Sequence, residues 1–194
     1  MSYHIYTTDG IILKRTPFGE ANVLLHILTE DLGLIMASAR AARLSVSKLR
    51  PALQEYALVS LSCIKGKNGW KVTNVVEKGS FYFEYPDHTH QVVAQIATLL
   101  LKMISGESPH PEIFQIVKTG FEFLKSLPEK DIPNFEILSV LRILYQLGYV
   151  SSSELSRTDL DNSVEWNDEL LEKLGQSKKI LVGLINKGLK ESHL

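Results

Sequence analysis

With 194 residues, 44% of them apolar and 22% charged, the chain has room for one or two domains with ordinary cores, and its net charge of −1 does not by itself announce a polyanionic partner. No apolar run reaches the roughly 18 residues of a membrane span, and the start, Met-Ser-Tyr-His-Ile-Tyr, has neither the basic residues nor the apolar stretch of a signal peptide, so a cytoplasmic protein is expected. The single cysteine, Cys63, excludes an intrachain disulfide and a cysteine-pair zinc module, and its apolar neighbours read as packing rather than as a nucleophile's setting.

The charge is unevenly spread. Residues 1–78 hold ten Lys/Arg against six Asp/Glu, and the remainder holds 11 against 16. A basic first part and an acidic second part suggest two regions with different partners.

The first part reads as five short strands. Asp9-Gly10 is a turn pair, and Ile11, Ile12 and Leu13 open a strand running into Lys14-Arg15-Thr16. Pro17 to Glu20 forms a second turn, and Ala21 to Thr29 is the most apolar strand. Glu30 to Gly33 turns into Leu34–Ser38, Leu53–Ile64 forms a long fourth strand, and Trp70–Val76 closes the set after Lys65-Gly66-Lys67-Asn68-Gly69, a hairpin with two glycines. Five strands too short for a sandwich can remove their edges by closing into a barrel of the OB type, with an SH3-like barrel as the alternative.

The exception to the tight turns is the connection between strands three and four. From Gly33 to Gln54 there is no acid, and four cations occur: Arg40, Arg43, Lys48 and Arg50. A positive, acid-free connection on a small β-barrel can hold a phosphate backbone; the alternative is a solvated loop.

From Pro86 the apolar period becomes helical. Val92 to Ile104, followed by Gly106, makes one face; Ile113 to Leu124 after Pro111 makes a second; Phe135 to Leu147, stopped by Gly148, makes a third that is apolar on much of its circumference and is placed centrally. Residues 151–167 are polar and acidic and read as a mobile connection with a short turn near Ser153–Arg157. Leu170 to Leu174 predicts a short helix ending at Gly175, and Ser177 is placed to cap a last one carrying Ile180, Leu181, Leu184 and Ile185. The chain is thus predicted to be multi-domain α+β, with an OB-type barrel over residues 1–79 and an all-α domain over 80–194.

The search for catalytic chemistry is negative. There is no Gly-rich phosphate loop, no Gly-x-Ser-x-Gly elbow and no His-Glu-x-x-His pair. His88 and His90 read as solvated rather than as metal ligands, and Asp159/Asp161 and Asp168/Glu169 as solvated charges and helix-dipole partners. No enzyme, metal or cofactor is expected.

With both parts laid out, the sequence resembles the bacterial RecO family of recombination mediators, in a short form without the zinc module. The resemblance rests on Asp9-Gly10-Ile11-Ile12-Leu13, Gly19-Glu20-Ala21 with Leu24, Leu25 and Leu28-Thr29-Glu30, and Gly33-Leu34-Ile35. It continues through Ala42-Arg43, Ser47 and Ala52-Leu53-Gln54, then Phe135-Glu136 with Leu147-Gly148-Tyr149, and Lys187-Gly188-Leu189-Lys190 near the C-terminus. The chain departs from the family pattern at Ala41, at Gln54-Glu55-Tyr56, in the cysteine-free stretch after Val150 where many members carry four zinc-binding cysteines, and at Glu191-Ser192.

The resemblance implies an OB-fold and a helical domain, binding of single- and double-stranded DNA, and annealing of complementary strands. It also implies action with RecR on DNA coated by single-strand binding protein (SSB), indirectly serving RecA, in the bacterial cytoplasm near the nucleoid. In residues, DNA is expected on Arg40, Arg43, Lys48 and Arg50, helped by Lys14 and Arg15, with Lys65, Lys67 and Lys71 widening the path. Trp70 and Phe18 are candidate base-stacking faces, although Trp70 could instead plug the barrel end. On the acidic helical domain Arg142, Lys178 and Lys179 are the candidate cations for the acidic, apolar tail of SSB. The alternatives are a generic OB-fold binder of single strands and a protein-interaction scaffold.

Overall fold

The computed structural model describes residues 4–79, 84–155 and 165–192. By contacts the chain divides into two compact units, residues 1–85 with 97–114, and residues 86–96 with 115–194.

In the first unit five strands form a closed barrel: β1 (Ile5–Phe18), β2 (Asn22–Thr29), β3 (Gly33–Ala39), β4 (Leu58–Gly66) and β5 (Gly69–Gly79). The order around the barrel is β1-β2-β3-β5-β4, closed by the β1–β4 ladder from Ile5–Ile64 to Ile11–Leu58. All neighbours are antiparallel except β3 and β5, which pair in parallel through Ala37–Trp70 and Ser38–Lys71. This is the OB-type arrangement. Alternate residues of each strand point inward, and Val23, Leu25, Ile27, Ile35, Ala37, Val59, Leu61, Cys63 and Trp70 fill the interior.

Two expectations change here. Asp9-Gly10 is not a turn but lies within the 14-residue β1. Gly10 is there because the barrel wall passes close: a Cβ would sit 2.7 Å from Ile27 Cγ2 and 2.9 Å from Leu61 Cδ2. The fourth strand begins at Leu58, not at Leu53. The apolar residues before it are buried without being strand: Ala52, Leu53 and Ala57 enter the barrel core from the loop. The bonds Tyr56 N to Ile12 O (2.6 Å) and Ile12 N to Ala57 O (3.1 Å) then fasten that loop end to β1, with Tyr56 at φ 66°.

The helices are α1 (His90–Met103), α2 (Pro111–Leu124), α3 (Ile132–Gln146), α4 (Ser152–Leu155) and α5 (Asp168–Glu191). Pro lies in the first turn of α2 and α3, where its missing N–H costs nothing. In α3 Phe135, Leu138, Ser139, Leu141, Arg142, Ile143 and Leu144 are all buried, as a central helix requires. The two short C-terminal helices expected from the sequence are one helix of 24 residues that runs through Gly175 and Ser177. Its cap is Asn167, whose Oδ1 accepts from Leu170 N at 2.8 Å. The spacing of buried Leu171, Leu174 and Leu181, with Gly188 seated against Leu144, keeps one face on α3 through the glycines. Of the polar connection, Ser152–Leu155 is helical, while Asp159, Asp161 and Arg157 fall outside the described residues. His88 is half-buried and its Nε2 lies 3.1 Å from Leu127 O.

Candidate nucleic-acid interface

The basic connection is a built loop. Backbone bonds Leu44 N to Ala41 O, Ser47 N to Leu44 O, Arg50 N to Ser47 O and Leu53 N to Leu49 O wind it into successive turns. Its start is tied to the β1–β2 turn by Arg43 N to Ala21 O at 2.9 Å, Ala41 N to Asn22 Oδ1 at 3.0 Å and Arg43 Nη1 to Gly19 O at 3.1 Å. Ala42 is fully buried and Leu49 packs against the core, so both halves of the loop are anchored. Arg40, Arg43, Lys48 and Arg50 all remain exposed. Arg43 is held beside the β1–β2 turn that follows Phe18, a ring 56% exposed.

This loop continues onto one face of the barrel. The pairing register aligns Thr16, Leu24, Ser38 and Lys71 in one row across β1, β2, β3 and β5, and Lys14, His26 and Met36 in the next. All lie on the outward side, since their strand neighbours Val23, Leu25, Ile27, Ile35 and Ala37 point inward. The face is therefore basic at its edges, with Lys14 on one side and Lys71 on the other, and mixed apolar and polar between them. Lys67 is exposed in the β4–β5 turn. Burial and then the charge of Lys14 hold the His26 imidazole below its ordinary 6.5, so this face favours a neutral ring. Several acids lie toward the β2–β3 turn. Glu30 and Asp31 are in the β2–β3 turn, Thr8 Oγ1 donates to Asp31 at 2.8 Å, and Asp9 pairs with Lys78. Two acids border the basic loop: Glu20, which is exposed in the β1–β2 turn, and Glu55, which follows Gln54 and is bonded to β1.

Several predicted residues are placed elsewhere. Arg15 cannot share a face with Lys14, because successive strand residues point to opposite sides. It pairs with inward-pointing Leu25, and its N–H donates to Glu55 Oε1 at 2.8 Å. Trp70 is 5% exposed. Tyr6 meets it edge-on at 5.1 Å and the Lys65 ammonium lies 5.3 Å from its ring centre. The indole plugs the barrel end and offers no face to a base, which leaves Phe18 as the exposed ring of the predicted pair. Lys65 itself is ion-paired with Glu107, whose carboxyl is held below its ordinary value chiefly by that hydrogen bond. In the helical unit Arg142 is buried rather than presented to a partner. Its guanidinium carbon lies 4.6 Å from the Trp166 ring centre, and Nη2 donates to Glu165 O at 2.9 Å. Lys178 and Lys179 are exposed on α5, beside Ile180, which is 57% exposed.

Leu24, His26, Met36 and Ser38 are not among the residues expected from the sequence to meet DNA. Their signal was present: outward Asn22, Leu24 and His26 alternate with inward Val23, Leu25 and Ile27. Glu107 had no such signal, since its meeting with Lys65 spans 42 residues. Trp166 was also missed. It lies 4.7 Å from Phe135 and 6.2 Å from Phe123, ring centre to ring centre, and donates from Nε1 to Thr119 Oγ1 at 3.2 Å.

The family model described as Recombination protein O N terminal matches residues 1–77, which hold nearly all of the barrel. The chain is 28% identical over 145 residues to the DNA repair protein RecO of Heliobacterium modesticaldum, an alignment covering 75% of this chain and 52% of that protein. It is 31% identical over 129 residues to the protein of that name from Gloeothece citriformis, covering 66% and 44%. With that from Dehalococcoides mccartyi it shares 32% over 149 residues, covering 75% and 57%. The chain thus spans about half the length of the curated relatives it matches. Barrel order and the match to residues 1–77 agree that the barrel is an N-terminal domain of the RecO family, and the similarity to RecO DNA repair proteins runs on into the helical unit.

Proposed function

We propose that this chain is a DNA repair and recombination mediator whose barrel unit holds DNA by its phosphates. The observation that carries the reading is the anchored, acid-free loop with Arg40, Arg43, Lys48 and Arg50 exposed, continuous with the outward face edged by Lys14 and Lys71. Electrostatic holding with little reading of base edges suits a protein that brings complementary strands together, because the bases stay free to pair. In this reading the chain anneals strands and, with RecR, helps place RecA on SSB-coated DNA, without making or breaking a bond. The exposed Lys178 and Lys179 of α5 are the helical unit's candidate contact to an acidic partner segment.

Fluorescence anisotropy of a labelled single-stranded oligonucleotide, measured across salt, tests the phosphate contacts. Four loop cations, each neutralising one phosphate, give a slope of log K against log salt of about −3 on single strands. A slope near zero would contradict the reading.

A further inference from the structure

The loop that carries the cations also carries apolar side chains that nothing covers. Val46 is 84% exposed, the most exposed large apolar side chain among the described residues, and Leu44 is 46% exposed. Both lie between Arg43 and Lys48, on the crest of a segment whose start is tied to the β1–β2 turn and whose end is buried at Leu53. The turns Leu44 N to Ala41 O and Ser47 N to Leu44 O fix the crest itself. A loop seeking burial would turn these side chains toward the barrel, as it does Ala42, Leu49, Ala52 and Leu53.

We propose that Leu44 and Val46 form an apolar wedge that enters the base stack of DNA held by the surrounding cations and unstacks the bases there. The inference rests on the DNA-binding reading above. Charge complementarity selects the occupant: Arg40, Arg43, Lys48 and Arg50 flank the crest and no acid lies between Gly33 and Gln54, so phosphates can flank a base step pressed on the apolar centre. Aliphatic side chains inserted between base steps are a known way of unstacking them. Phe18, beside the loop's anchor at Gly19, would present a ring to a base displaced in this way. A strand with locally unstacked bases is one whose Watson–Crick edges are open to a second strand.

The test uses the full chain and 12-nucleotide strands and duplexes carrying 2-aminopurine at central positions, whose emission rises when the base leaves the stack. Saturation is set by anisotropy of the same complexes. Wild-type protein at saturation should raise the emission at least roughly two-fold. The double variant Leu44→Ser/Val46→Ser should bind with an unchanged salt slope, since every cation is kept, yet produce no rise. Val46→Ser alone serves if the double variant's unfolding midpoint shows that it does not fold. Bound DNA with no rise, or a rise of equal size in the variant, overturns the wedge and leaves the DNA-binding reading standing. No change in anisotropy even at low salt overturns both.

Discussion

Gly33 offers a test in which the structure supplies the magnitude. It opens β3 at φ +72°, and a Cβ built there would lie 2.3 Å from the carbonyl oxygen of Ser108 and 2.8 Å from the carbonyl carbon of Glu107. Those are backbone atoms, so the 107–108 segment would have to withdraw by about 1 Å to reach ordinary contact, at a cost of roughly 1–3 kcal/mol as for overpacking. Left-handed backbone adds about 1–2 kcal/mol for an L-residue, and the smaller unfolded-state entropy of Ala returns about 0.4–1 kcal/mol. Gly33→Ala should therefore destabilise by about 1–5 kcal/mol, centred near 3. Gly19 is the control: its φ is +61° and nothing lies within 4 Å of a Cβ there. Gly19→Ala should cost about 1 kcal/mol or less, from the backbone alone. Urea unfolding followed by circular dichroism measures both, with an unchanged m-value required for the comparison. Equal losses in the two variants would refute the claim that the 107–108 backbone is packed on Gly33.

Charge reversal of Arg40 and Arg43 to Glu should flatten the salt slope on single strands by about 1.4, while the lost Arg43 Nη1 to Gly19 O bond lowers stability by about 0.5–1.5 kcal/mol. Glu107→Gln should act in the opposite sense: it releases Lys65, and the slope should steepen by up to about 0.7 in the same anisotropy titration. Trp70→Phe should keep DNA affinity within about two-fold, because a plug touches no base; a ten-fold loss in binding by a folded variant would return the ring to the interface. The Glu154 carboxyl is pulled from 4.5 down to about 2, first by the hydrogen bond from Lys187 and then by Ser151. A depressed carboxylate adds stability that is complete above the ordinary value and is lost as pH falls from about 4.5 toward 2. A carboxyl NMR titration should place its midpoint near 2 in the wild type and nearer 4.5 in Lys187→Ala.

The barrel was legible because its signals are local. Alternation in Ala21–Thr29 and Leu34–Ser38 and the two-glycine hairpin at Gly66–Gly69 mark strands and turns directly, and the acid-free stretch needed only a count of charges. What failed depended on tertiary context. Gly10 sits in a strand because Ile27 and Leu61 press on it from across the barrel, and a turn dipeptide looks the same on paper. Leu53 is apolar for burial from a loop, and burial does not distinguish loop from strand. Gly175 was read as a stop, but the Leu171, Leu174, Leu181 face continues against α3 and outweighs the cost of a helical glycine. At the interface the loop cations were visible and the outward face was not assembled, since the row Thr16, Leu24, Ser38, Lys71 exists only once the register is known. Residue type alone does not show that strand parity turns Arg15 off the face of Lys14, or that Trp70 and Arg142 are buried.

A recombination mediator, unlike a generic binder, must act on DNA that another protein already covers. Two complementary oligonucleotides are pre-coated with SSB, and pairing is followed by fluorescence quenching with and without this chain at low and moderate salt. Pairing of the coated strands should be faster with the chain present, and less so in the Arg40→Glu/Arg43→Glu variant and at the higher salt. Pairing no faster than with SSB alone, at either salt, would contradict the mediator reading.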